Sequence, residues 1–270
     1  MDHVTVAPVS TRTGHTALIT GASAGLGREY ARLFAADGHD VALVARNAER
    51  LQELADELTS QHGVGATVLP ADLAIHGAVE RIVESLGRSG IAIDYLVNNA
   101  GAGLNGAFYE LDVRSQLDMI HVNITALTEL TRLLLPGMIE RGRGRILNVA
   151  STAGFQPGPG MAVYYASKGY VISFSEAIAY ELRHTGVTVT CHCPGATATE
   201  FAARAGNADS KLFKSGVAEA AAVAGHGYRA LMRGQLLSIA GPVNWLGAQA
   251  VRFTPRPLVR SMAAWLNSKA

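Results

Sequence analysis

Short apolar runs alternate with amphipathic segments along most of the chain, and this order constrains the fold more than any other feature of the sequence. Strands are predicted for the runs at residues 16–20, 41–45, 66–69, 93–97, 145–149, 187–193 and 235–239. The segments between them have helical apolar spacing, at residues 26–36, 48–60, 78–86, 113–139, 163–184 and 216–232. Strands that alternate with helices form parallel βαβ units, so the sequence predicts a parallel sheet with helices on both faces.

The composition provides ample material for a large core. Of the 270 residues, 49% are hydrophobic and 17% are charged. This excludes an intrinsically disordered chain, because disorder requires low hydrophobicity or a high net charge. The formal net charge is +1, and no block of like charges occurs in the sequence. A nucleic-acid-binding function is therefore disfavoured, since such proteins carry a basic patch.

The cysteines and the remaining segments bear on compartment and organisation. Cys191 and Cys193 are one residue apart, which suits two small buried side chains better than a disulfide framework or a zinc site. We therefore expect a reducing compartment, the cytoplasm. No apolar run of membrane-spanning length occurs, so we expect no transmembrane segment. We expect a flexible tail over residues 1–15, a main domain over residues 16–241 and a helical extension over residues 242–270.

A glycine-rich segment joins the first predicted strand to the first predicted helix. Residues 20–27 include the glycines Gly21, Gly25 and Gly27. Glycines allow a sharp turn and the close approach of a ligand, and the N-terminus of the next helix offers free amide groups to a phosphate. At the first turn of a βαβ unit this pattern predicts a dinucleotide site, and the alternative is a glycine-rich turn without a ligand.

The residues after the second predicted strand indicate which dinucleotide is bound. An acidic residue at this position binds the adenosine ribose hydroxyls, but this chain has Ala45 followed by Arg46. A guanidinium matches a phosphate in charge and in bidentate geometry. The sequence therefore favours NADP over NAD, the alternative being that Arg46 is a solvated residue at the start of a helix.

A tyrosine and a lysine one helical turn apart form a candidate acid–base pair. Tyr164 and Lys168 occupy positions i and i+4 of a predicted helix and share one face. A nearby ammonium stabilises a phenolate and lowers the pKa of the phenol. Tyr164 could then exchange a proton during carbonyl reduction or alcohol oxidation. A surface pair without a function is the alternative.

Further polar residues lie at the carboxyl edge of the predicted sheet, where parallel sheets bind ligands. Ser151 follows the fifth strand and could hydrogen-bond a substrate oxygen. Asn98 and Asn99 follow the fourth strand at the same edge. Asn123 interrupts the apolar face of the long helix, and a buried amide there needs partners, whether in a site or in the core.

Together, these residues resemble the short-chain dehydrogenase/reductase superfamily. The matching pieces occur in the order and at the spacing of that family and span about residues 16–201. They are the glycine-rich segment 20–27, Asp72 with Leu73, residues 98–101, Asn123, Ser151, Tyr164 with Lys168, and Pro194, Gly195 and Thr199. The resemblance implies a single Rossmann-type, doubly wound α/β domain with a seven-stranded parallel sheet.

The resemblance also implies a catalytic tetrad of Asn123, Ser151, Tyr164 and Lys168. Tyr164 would be the acid and base of the reaction, and Ser151 would polarise the substrate oxygen. Lys168 would lower the pKa of Tyr164 and hold the nicotinamide ribose. Asn123 would anchor a water molecule that links Lys168 to solvent, and the hydride transfer itself would belong to the cofactor.

By the same resemblance, an NADP(H) site would use several parts of the chain. Its residues would be Gly21, Ser23, Ala24, Gly25, Leu26, Gly27, Arg46, Asp72, Leu73, Asn99, Ala100, Gly101, Tyr164, Lys168, Pro194, Gly195, Thr197 and Thr199. The chain departs from the family pattern at Thr197, where an aliphatic residue is usual, and at Gly169, where alanine is usual. No metal site is expected.

The substrate region is set by a loop at residues 202–215 that mixes small, polar and apolar residues. Apolar side chains that could wall a pocket, or could equally be core packing, are Leu104, Phe108, Phe155, Met161, Tyr165, Phe201 and Phe213. The sequence favours an uncharged, lipophilic ketone, aldehyde or alcohol as the small-molecule substrate. By the family resemblance we also expect a homodimer or homotetramer.

Two other functions stay open at this point. A 3-oxoacyl-[acyl-carrier-protein] reductase would need a basic patch for its acidic carrier. Arg141, Arg143 and Arg145 are candidates for that patch, although they also flank a predicted strand. A catalytically silent NADP-binding sensor is the second, but a pure binder has no need of Tyr164.

The C-terminal extension carries both tryptophans of the chain. Pro255 and Pro257 divide it into two predicted helical pieces. We expect the apolar stripe of the second piece to pack on the chain's own domain or on a partner subunit. Membrane contact is disfavoured, because Arg256 and Arg260 alone are a weak electrostatic anchor. The stripe consists of Leu258, Val259, Met262, Trp265 and Leu266.

Overall fold

The computed structural model describes residues 12–269, and its central feature is a sheet of seven parallel strands. The strands of the described chain are β1 (Thr16–Thr20), β2 (Asp40–Ala45), β3 (Ala66–Pro70), β4 (Ile93–Asn98), β5 (Gly144–Val149), β6 (Val187–Cys193), β7 (Thr197–Ala198), β8 (Ala218–Glu219) and β9 (Leu237–Ile239). The short strands β7 and β8 pair with each other, and the other seven form the sheet in the order β3-β2-β1-β4-β5-β6-β9. The predicted seven-stranded parallel sheet is confirmed.

Helices cover both faces of this sheet. Over residues 12–269 they are α1 (Gly25–Ala36), α2 (Ala48–His62), α3 (Ala78–Arg88), α4 (Val113–Ile120), α5 (Leu127–Glu140), α6 (Ala162–Glu181), α7 (Phe201–Arg204), α8 (Lys211–Lys214), α9 (Ala220–Met232), α10 (Pro242–Ala250) and α11 (Arg256–Asn267). A π-helical segment, His121–Ala126, joins α4 to α5, and a 3-10 helix, Thr152–Phe155, follows β5. Within the described residues, none of the helices has the length and apolar character needed to cross a membrane.

The strand order changes direction between β1 and β4. From β1 the chain moves outward to β2 and β3, and it then returns to place β4 on the other side of β1. The turns that follow β1 and β4 therefore leave the same edge of the sheet side by side. In open parallel sheets, the crevice at such a reversal is where ligands bind.

Two apolar layers, one on each face of the sheet, stabilise the fold. The first packs α1, α2 and α9 against the strands and contains the fully buried aromatic side chains of Tyr30 and Phe34. The second packs α3, α5 and the end of α6 against the opposite face, around the buried side chains of Leu96, Leu130 and Ile146. The strands carry continuous apolar runs because both of their faces are covered.

Two predicted helices differ from those observed. The long helix predicted at residues 113–139 is divided by the π-helical segment into α4 and α5. The helix predicted from residue 216 begins only at Ala220, because Ala218 and Glu219 are extended and pair with β7. Gly216 has a φ of +129°, which no α-helix allows.

The C-terminal extension forms two helices, α10 and α11, but the predicted apolar stripe of α11 lies in two environments. The inward side of α11 consists of Val259, Ala263 and Asn267, which are buried. The Asn267 side chain accepts a hydrogen bond from the Tyr165 hydroxyl at 3.1 Å and donates one to the carbonyl oxygen of Pro159 at 3.0 Å. Of the other stripe residues, Leu266 is half-buried. Leu258, Met262 and Trp265 are exposed to solvent.

The packing of α9 against β6 depends on Gly227. A Cβ at this position would overlap the Tyr30 hydroxyl oxygen and would lie 2.9 Å from the His192 ring. We expect Gly227→Ala to lower the free energy of unfolding by about 1–3 kcal/mol, the usual cost of overpacking. Calorimetry should show this as a lower Tm. Gly87→Ala in α3 is the matched control, because a Cβ there meets nothing within 4 Å and alanine favours helices. Equal melting temperatures for the two variants would contradict this packing.

Candidate active site

Thr20 and Asn99 tie the turns after β1 and β4 together. The Thr20 hydroxyl accepts hydrogen bonds from the backbone amides of Asn99 and Ala100, both at 2.9 Å, and donates one to the carbonyl oxygen of Val97 at 3.2 Å. The side-chain amide of Asn99 donates to the carbonyl oxygen of Thr20 at 2.8 Å. These bonds hold the two turns against each other at the crevice.

The glycine-rich turn has a backbone that side chains would obstruct. Gly21 and Gly25 have φ values of +68° and +55°, in the left-handed region that favours glycine. A Cβ on Gly27 would overlap the carbonyl oxygen of Gly21, and a Cβ on Gly25 would lie 3.0 Å from the Thr199 side chain. No side chain caps the first turn of α1, so its amides are available to an anion. The turn is therefore a backbone cradle suited to a phosphate group.

Residues expected at the adenosine end of a dinucleotide lie along one side of the same cleft. Ala45 ends β2 and is followed by the exposed Arg46, and both line the cleft. Asp72 and Leu73 follow β3 and also line it. The Asp72 carboxylate accepts a hydrogen bond from the backbone amide of Ala74 at 3.0 Å, which fixes the start of this loop.

Ser151, Tyr164 and Lys168 meet beyond the end of β5. Ser151 caps the 3-10 helix by accepting a hydrogen bond from the backbone amide of Ala153 at 3.1 Å, and its hydroxyl donates to the carbonyl oxygen of Pro194 at 3.4 Å. It lies close enough to the Tyr164 phenol to lower the pKa of that phenol. Tyr164 and Lys168 share one face of α6, with Lys168 Nζ 5.8 Å from the centre of the Tyr164 ring. Lys168 Nζ donates to the carbonyl oxygen of Val149 at 2.8 Å. A hydroxyl, a phenol and an ammonium are thus held within one small volume.

The cleft keeps the Tyr164 phenol protonated at neutral pH. Burial raises the pKa of Tyr164 to about 12, and the nearby Ser151 hydroxyl offsets this only in part. Burial also lowers the pKa of Lys168 to about 8, so its ammonium is still mostly charged at neutral pH. Lys168 is not among the causes of the Tyr164 shift, so the lowering of the Tyr164 pKa by its ammonium stays a prediction.

Asn123 lies in the π-helical segment, close to Lys168. Its side-chain oxygen accepts a hydrogen bond from the Ala102 amide at 2.8 Å, and its side-chain nitrogen donates to the Ala102 carbonyl at 2.9 Å and to the Ser167 hydroxyl at 3.0 Å. A Cβ on Gly101 would lie 3.5 Å from both Asn123 Oδ1 and Lys168 Nζ, so the two side chains converge on the loop after β4. Such π-helical segments occur frequently at functional sites.

The segment after β6 forms the opposite wall of the cleft, with lining residues Pro194, Gly195, Thr197 and Thr199. The buried hydroxyl of Thr197 donates to the carbonyl oxygen of Gly195 at 3.0 Å, which satisfies it at a position where the family usually has an aliphatic residue. At Gly169, the other departure, a Cβ would lie 3.3 Å from the carbonyl oxygen of Gly154. The glycine therefore permits a close approach between α6 and the 3-10 helix.

The residues expected at the site border one cleft of about 1080 Å³, except for Gly27 and Asn123, which lie outside its lining. Of the seven apolar residues considered as pocket walls, five line it: Leu104, Met161, Tyr165, Phe201 and Phe213. Phe155 takes the alternative of core packing, against a cluster that includes Val171 and Ile172 of α6. Phe108 does neither, because it lies outside the lining and is 64% exposed. Apolar side chains of α10 and α11 complete the wall, among them Val251, Val259 and Leu266.

An ion-pair network that the sequence does not predict borders the cleft. Arg50 on α2 donates to both carboxylate oxygens of Glu200, at 3.1 and 3.2 Å, and Arg204 on α7 pairs with the same carboxylate. All three residues line the cleft. Arg50 and Glu200 are 150 positions apart, so no local sequence pattern could reveal their contact.

The three arginines considered as a carrier-docking patch lie at the opposite edge of the sheet. Arg143 pairs with the buried carboxylate of Asp94 at 3.2 Å, and Arg141 donates to the carbonyl oxygen of Ile93 at 2.7 Å. Arg145 donates to two carbonyl oxygens at the end of α9. Their guanidinium groups support the amino ends of the strands, far from the cleft mouth.

Comparisons with known proteins agree with this architecture. A family model described as short chain dehydrogenase matches residues 15–210. The chain is 40% identical over 195 residues to a very-long-chain 3-oxoacyl-CoA reductase of Anas platyrhynchos, a match that covers 70% of this chain and 61% of that protein. The chain thus spans less than two thirds of this relative's length.

Two solved structures show the same fold. A short-chain dehydrogenase from Sphingobium yanoikuyae in complex with NADPH has a TM-score of 0.80 and 34% identity, over 88% of this chain and 94% of that one. A bulky-bulky ketone specific alcohol dehydrogenase from Comamonas testosteroni has a TM-score of 0.75 and 31% identity, over 88% of this chain and 92% of that one. These likenesses extend well beyond the glycine-rich turn and include most of the sheet and its helices.

The raised pKa of Tyr164 can be measured directly in the free protein. Because burial disfavours the phenolate, we expect Tyr164 to stay protonated from about pH 7 to about pH 10, where exposed phenols begin to ionise. The difference in phenolate absorbance between the wild-type protein and Tyr164→Phe should then be close to zero over this range. Phenolate that appears in the difference spectrum near neutral pH would instead show that the ammonium of Lys168 dominates. Calorimetry of both proteins controls for a change in folding.

Proposed function

The chain belongs to the short chain dehydrogenase family, and on that premise we propose that it is an NADP(H)-dependent oxidoreductase that interconverts a ketone or aldehyde with an alcohol on a lipophilic small substrate. The observation that carries the proposal is the meeting of Ser151, Tyr164 and Lys168 in the same cleft as the glycine-rich turn. A phosphate cradle and a proton donor at one sheet edge are what nicotinamide-dependent carbonyl reduction needs.

The residues of the cleft fit a nicotinamide dinucleotide. The overlap that a Cβ on Gly27 would cause marks a backbone shaped for close approach, and the first turn of α1 would hold the pyrophosphate. Asp72 would contact the adenine, and Lys168 would hold the nicotinamide ribose. The NADPH complex of the Sphingobium neighbour supports this assignment. When bound, the cofactor supplies the hydride.

The end of β2 favours the cofactor that carries a 2′-phosphate. A carboxylate at the end of β2 would bind the ribose hydroxyls of NAD and would repel a 2′-phosphate. This chain has Ala45 there and therefore no such carboxylate. Arg46 is exposed at the rim of the cleft, where its guanidinium would pair with the phosphate in bidentate geometry. NADP is therefore the cofactor that these two residues suit.

The polar side chains beyond β5 suit proton delivery to a substrate oxygen. Ser151 would hold that oxygen next to the Tyr164 phenol, which is protonated at neutral pH because burial raises its pKa to about 12. The Lys168 ammonium, which is charged below about pH 8, would stabilise the phenolate left after proton transfer. Asn123 would hold the loop after β4 against this pair through its hydrogen bonds to Ala102. A protonated phenol favours carbonyl reduction over alcohol oxidation at neutral pH.

The wall next to Tyr164 favours a lipophilic substrate. Met161, Tyr165 and Phe201 line the cleft, and Tyr164 lies 5.3 Å from Phe201 between ring centres. The helices α10 and α11 add further aliphatic side chains. Burying an apolar substrate against such a wall contributes about 25 cal/mol for each Å² removed from water. The long-chain acyl substrate in the Anas relative's name and the bulky ketones of the Comamonas neighbour agree with this preference.

The alternative functions have less support. The arginines considered for an acyl carrier protein are engaged at the far edge of the sheet, in contacts with Asp94 and with backbone carbonyls. A catalytically silent sensor does not explain the phenol held against Ser151. We further propose, from the family resemblance, that the protein acts in the cytoplasm as a homodimer or homotetramer.

Removing the transferable proton tests the proposed acid. Tyr164→Phe keeps the ring but not the hydroxyl, so we expect NADPH-dependent ketone reduction to fall by at least about 100-fold, the scale of acid–base catalysis. NADPH binding, measured by calorimetry, should be retained. Tyr180→Phe is the matched control, because Tyr180 is 69% exposed near the end of the same helix. A Tyr164→Phe variant with the turnover of this control would remove Tyr164 from the proposed role.

Exchanging Ala45 and Arg46, at the end of β2, tests the cofactor assignment. In the double variant Ala45→Asp, Arg46→Ala, we expect the preference for NADPH over NADH to fall by roughly 10- to 150-fold. The variant loses a charge-assisted pair with the 2′-phosphate and gains a carboxylate that repels this phosphate. The ratio of kcat/KM for the two cofactors measures this change. Arg88→Ala, at an exposed arginine of α3, is the control for loss of a positive charge. An unchanged ratio would show that other residues recognise the phosphate.

A further inference from the structure

The two C-terminal helices and the turn between them carry an unusual number of exposed apolar side chains. Within residues 243–265, seven large apolar side chains are more than half exposed, and we call this set the tail patch. Four of them lie outside the lining of the cleft: Trp245, Leu246, Phe253 and Trp265. Soluble proteins rarely leave large apolar patches uncovered, and seven exposed apolar side chains within 23 residues of the chain indicate a binding surface.

The other three residues of the tail patch form the mouth of the substrate cleft. Val243, Leu258 and Met262 line the cleft and are also 80%, 60% and 64% exposed. A side chain that borders the cleft and still faces water lies at its rim. The tail patch therefore borders the entrance by which a substrate reaches Tyr164.

The charge around the tail patch has one sign. Residues 220–270 contain six Lys and Arg and no Asp or Glu, although the net charge of the whole chain is only +1. Arg252, Arg256 and Arg260 are exposed within the same two-helix region. Among the ion pairs of residues 12–269, none involves these three arginines, so their charge is available to a partner.

We propose that the tail patch docks on a lipid bilayer surface that contains anionic lipids, with the mouth of the cleft facing the bilayer. Aromatic and aliphatic side chains of surface helices enter the boundary between headgroups and acyl chains, and nearby arginines pair with lipid phosphates. The inference rests on the proposed function, because a lipophilic substrate dissolved in the bilayer then reaches the cleft without crossing water. It reverses the sequence-based preference, since the structure exposes Leu258, Met262 and Trp265, which we expected to be covered.

A second copy of the chain is a poorer partner for this surface. A two-fold interface places the same patch on both subunits, so each arginine-bearing face would meet its own equivalent. No carboxylate from residues 220–270 is present to compensate the repulsion. Such a contact would also close both cleft mouths, because Val243 and Met262 belong to the patch and to the rim.

The two tryptophans of the chain allow a direct test, because both Trp245 and Trp265 belong to the tail patch. The full chain is mixed with vesicles of phosphatidylcholine that contain about 30% phosphatidylglycerol, and binding is followed by tryptophan emission and by cosedimentation. We expect the emission to shift to shorter wavelength and the protein to sediment with the vesicles. With pure phosphatidylcholine vesicles, we expect binding at least about tenfold weaker.

A triple variant separates the tail patch from other exposed apolar residues. Trp245→Ser, Leu246→Ser and Phe253→Ser together should weaken vesicle binding by at least about tenfold, as measured by cosedimentation. None of these three side chains lines the cleft. We therefore expect the variant to keep the wild-type rate of NADPH-dependent reduction of a small, water-soluble ketone in vesicle-free buffer.

The matched control changes three exposed apolar residues elsewhere, as Ile75→Ser, Tyr109→Ser and Tyr180→Ser, at 56%, 85% and 69% exposure. It should bind anionic vesicles as the wild type does. The docking proposal is overturned if the wild type does not bind anionic vesicles, or if the two triple variants bind these vesicles equally well. It is also overturned if the tail-patch variant alone dissociates an oligomer in vesicle-free solution, which would assign the patch to a second copy. Vesicle binding without any ketone reduction by the wild type would overturn the proposed function and not the docking.

Discussion

The hydrogen bonds between Thr20 and the turn after β4 are the interaction on which the site depends. They join two turns that are adjacent because the strand order reverses at β1. The loop that begins at Asn99 continues to Ala102, where Asn123 holds it from the other side. One short loop thus connects the glycine-rich cradle to the helices that carry the polar side chains. The distance between the glycine-rich turn and the Tyr164 phenol is therefore set by short hydrogen bonds between side chains and the backbone.

Burial gives these side chains their chemical character. The sheet is covered on both faces, so the end of β5 opens into a cleft with apolar walls. In this environment the neutral form of each group is favoured, which raises the pKa of Tyr164 to about 12 and lowers that of Lys168 to about 8. The same walls are the basis for the lipophilic substrate that we propose. The protonated phenol and the apolar pocket therefore have one physical origin.

The parts of the structure that local patterns determine could be predicted from the sequence. Apolar runs placed the strands, and the i, i+4 spacing placed Tyr164 and Lys168 on one face of α6. Properties that depend on tertiary packing could not be predicted in this way. The direction of the Tyr164 pKa shift depends on how deeply the phenol is buried, and the link between Arg50 and Glu200 joins distant segments. The inward side of α11 was misjudged because helical spacing shows a stripe but not which part of it meets the domain.

The most direct test of the proposed chemistry follows the hydride itself. The purified chain is given NADPH that carries deuterium at both hydrogens of nicotinamide C4, together with a panel of bulky, lipophilic ketones. Mass spectrometry then locates the label in the alcohol that forms. We expect one deuterium at the carbinol carbon and a hydroxyl proton from solvent, since Tyr164 exchanges its proton with water. Failure to form any alcohol across the panel, or alcohol without deuterium at that carbon, would contradict a nicotinamide-dependent carbonyl reduction in this cleft.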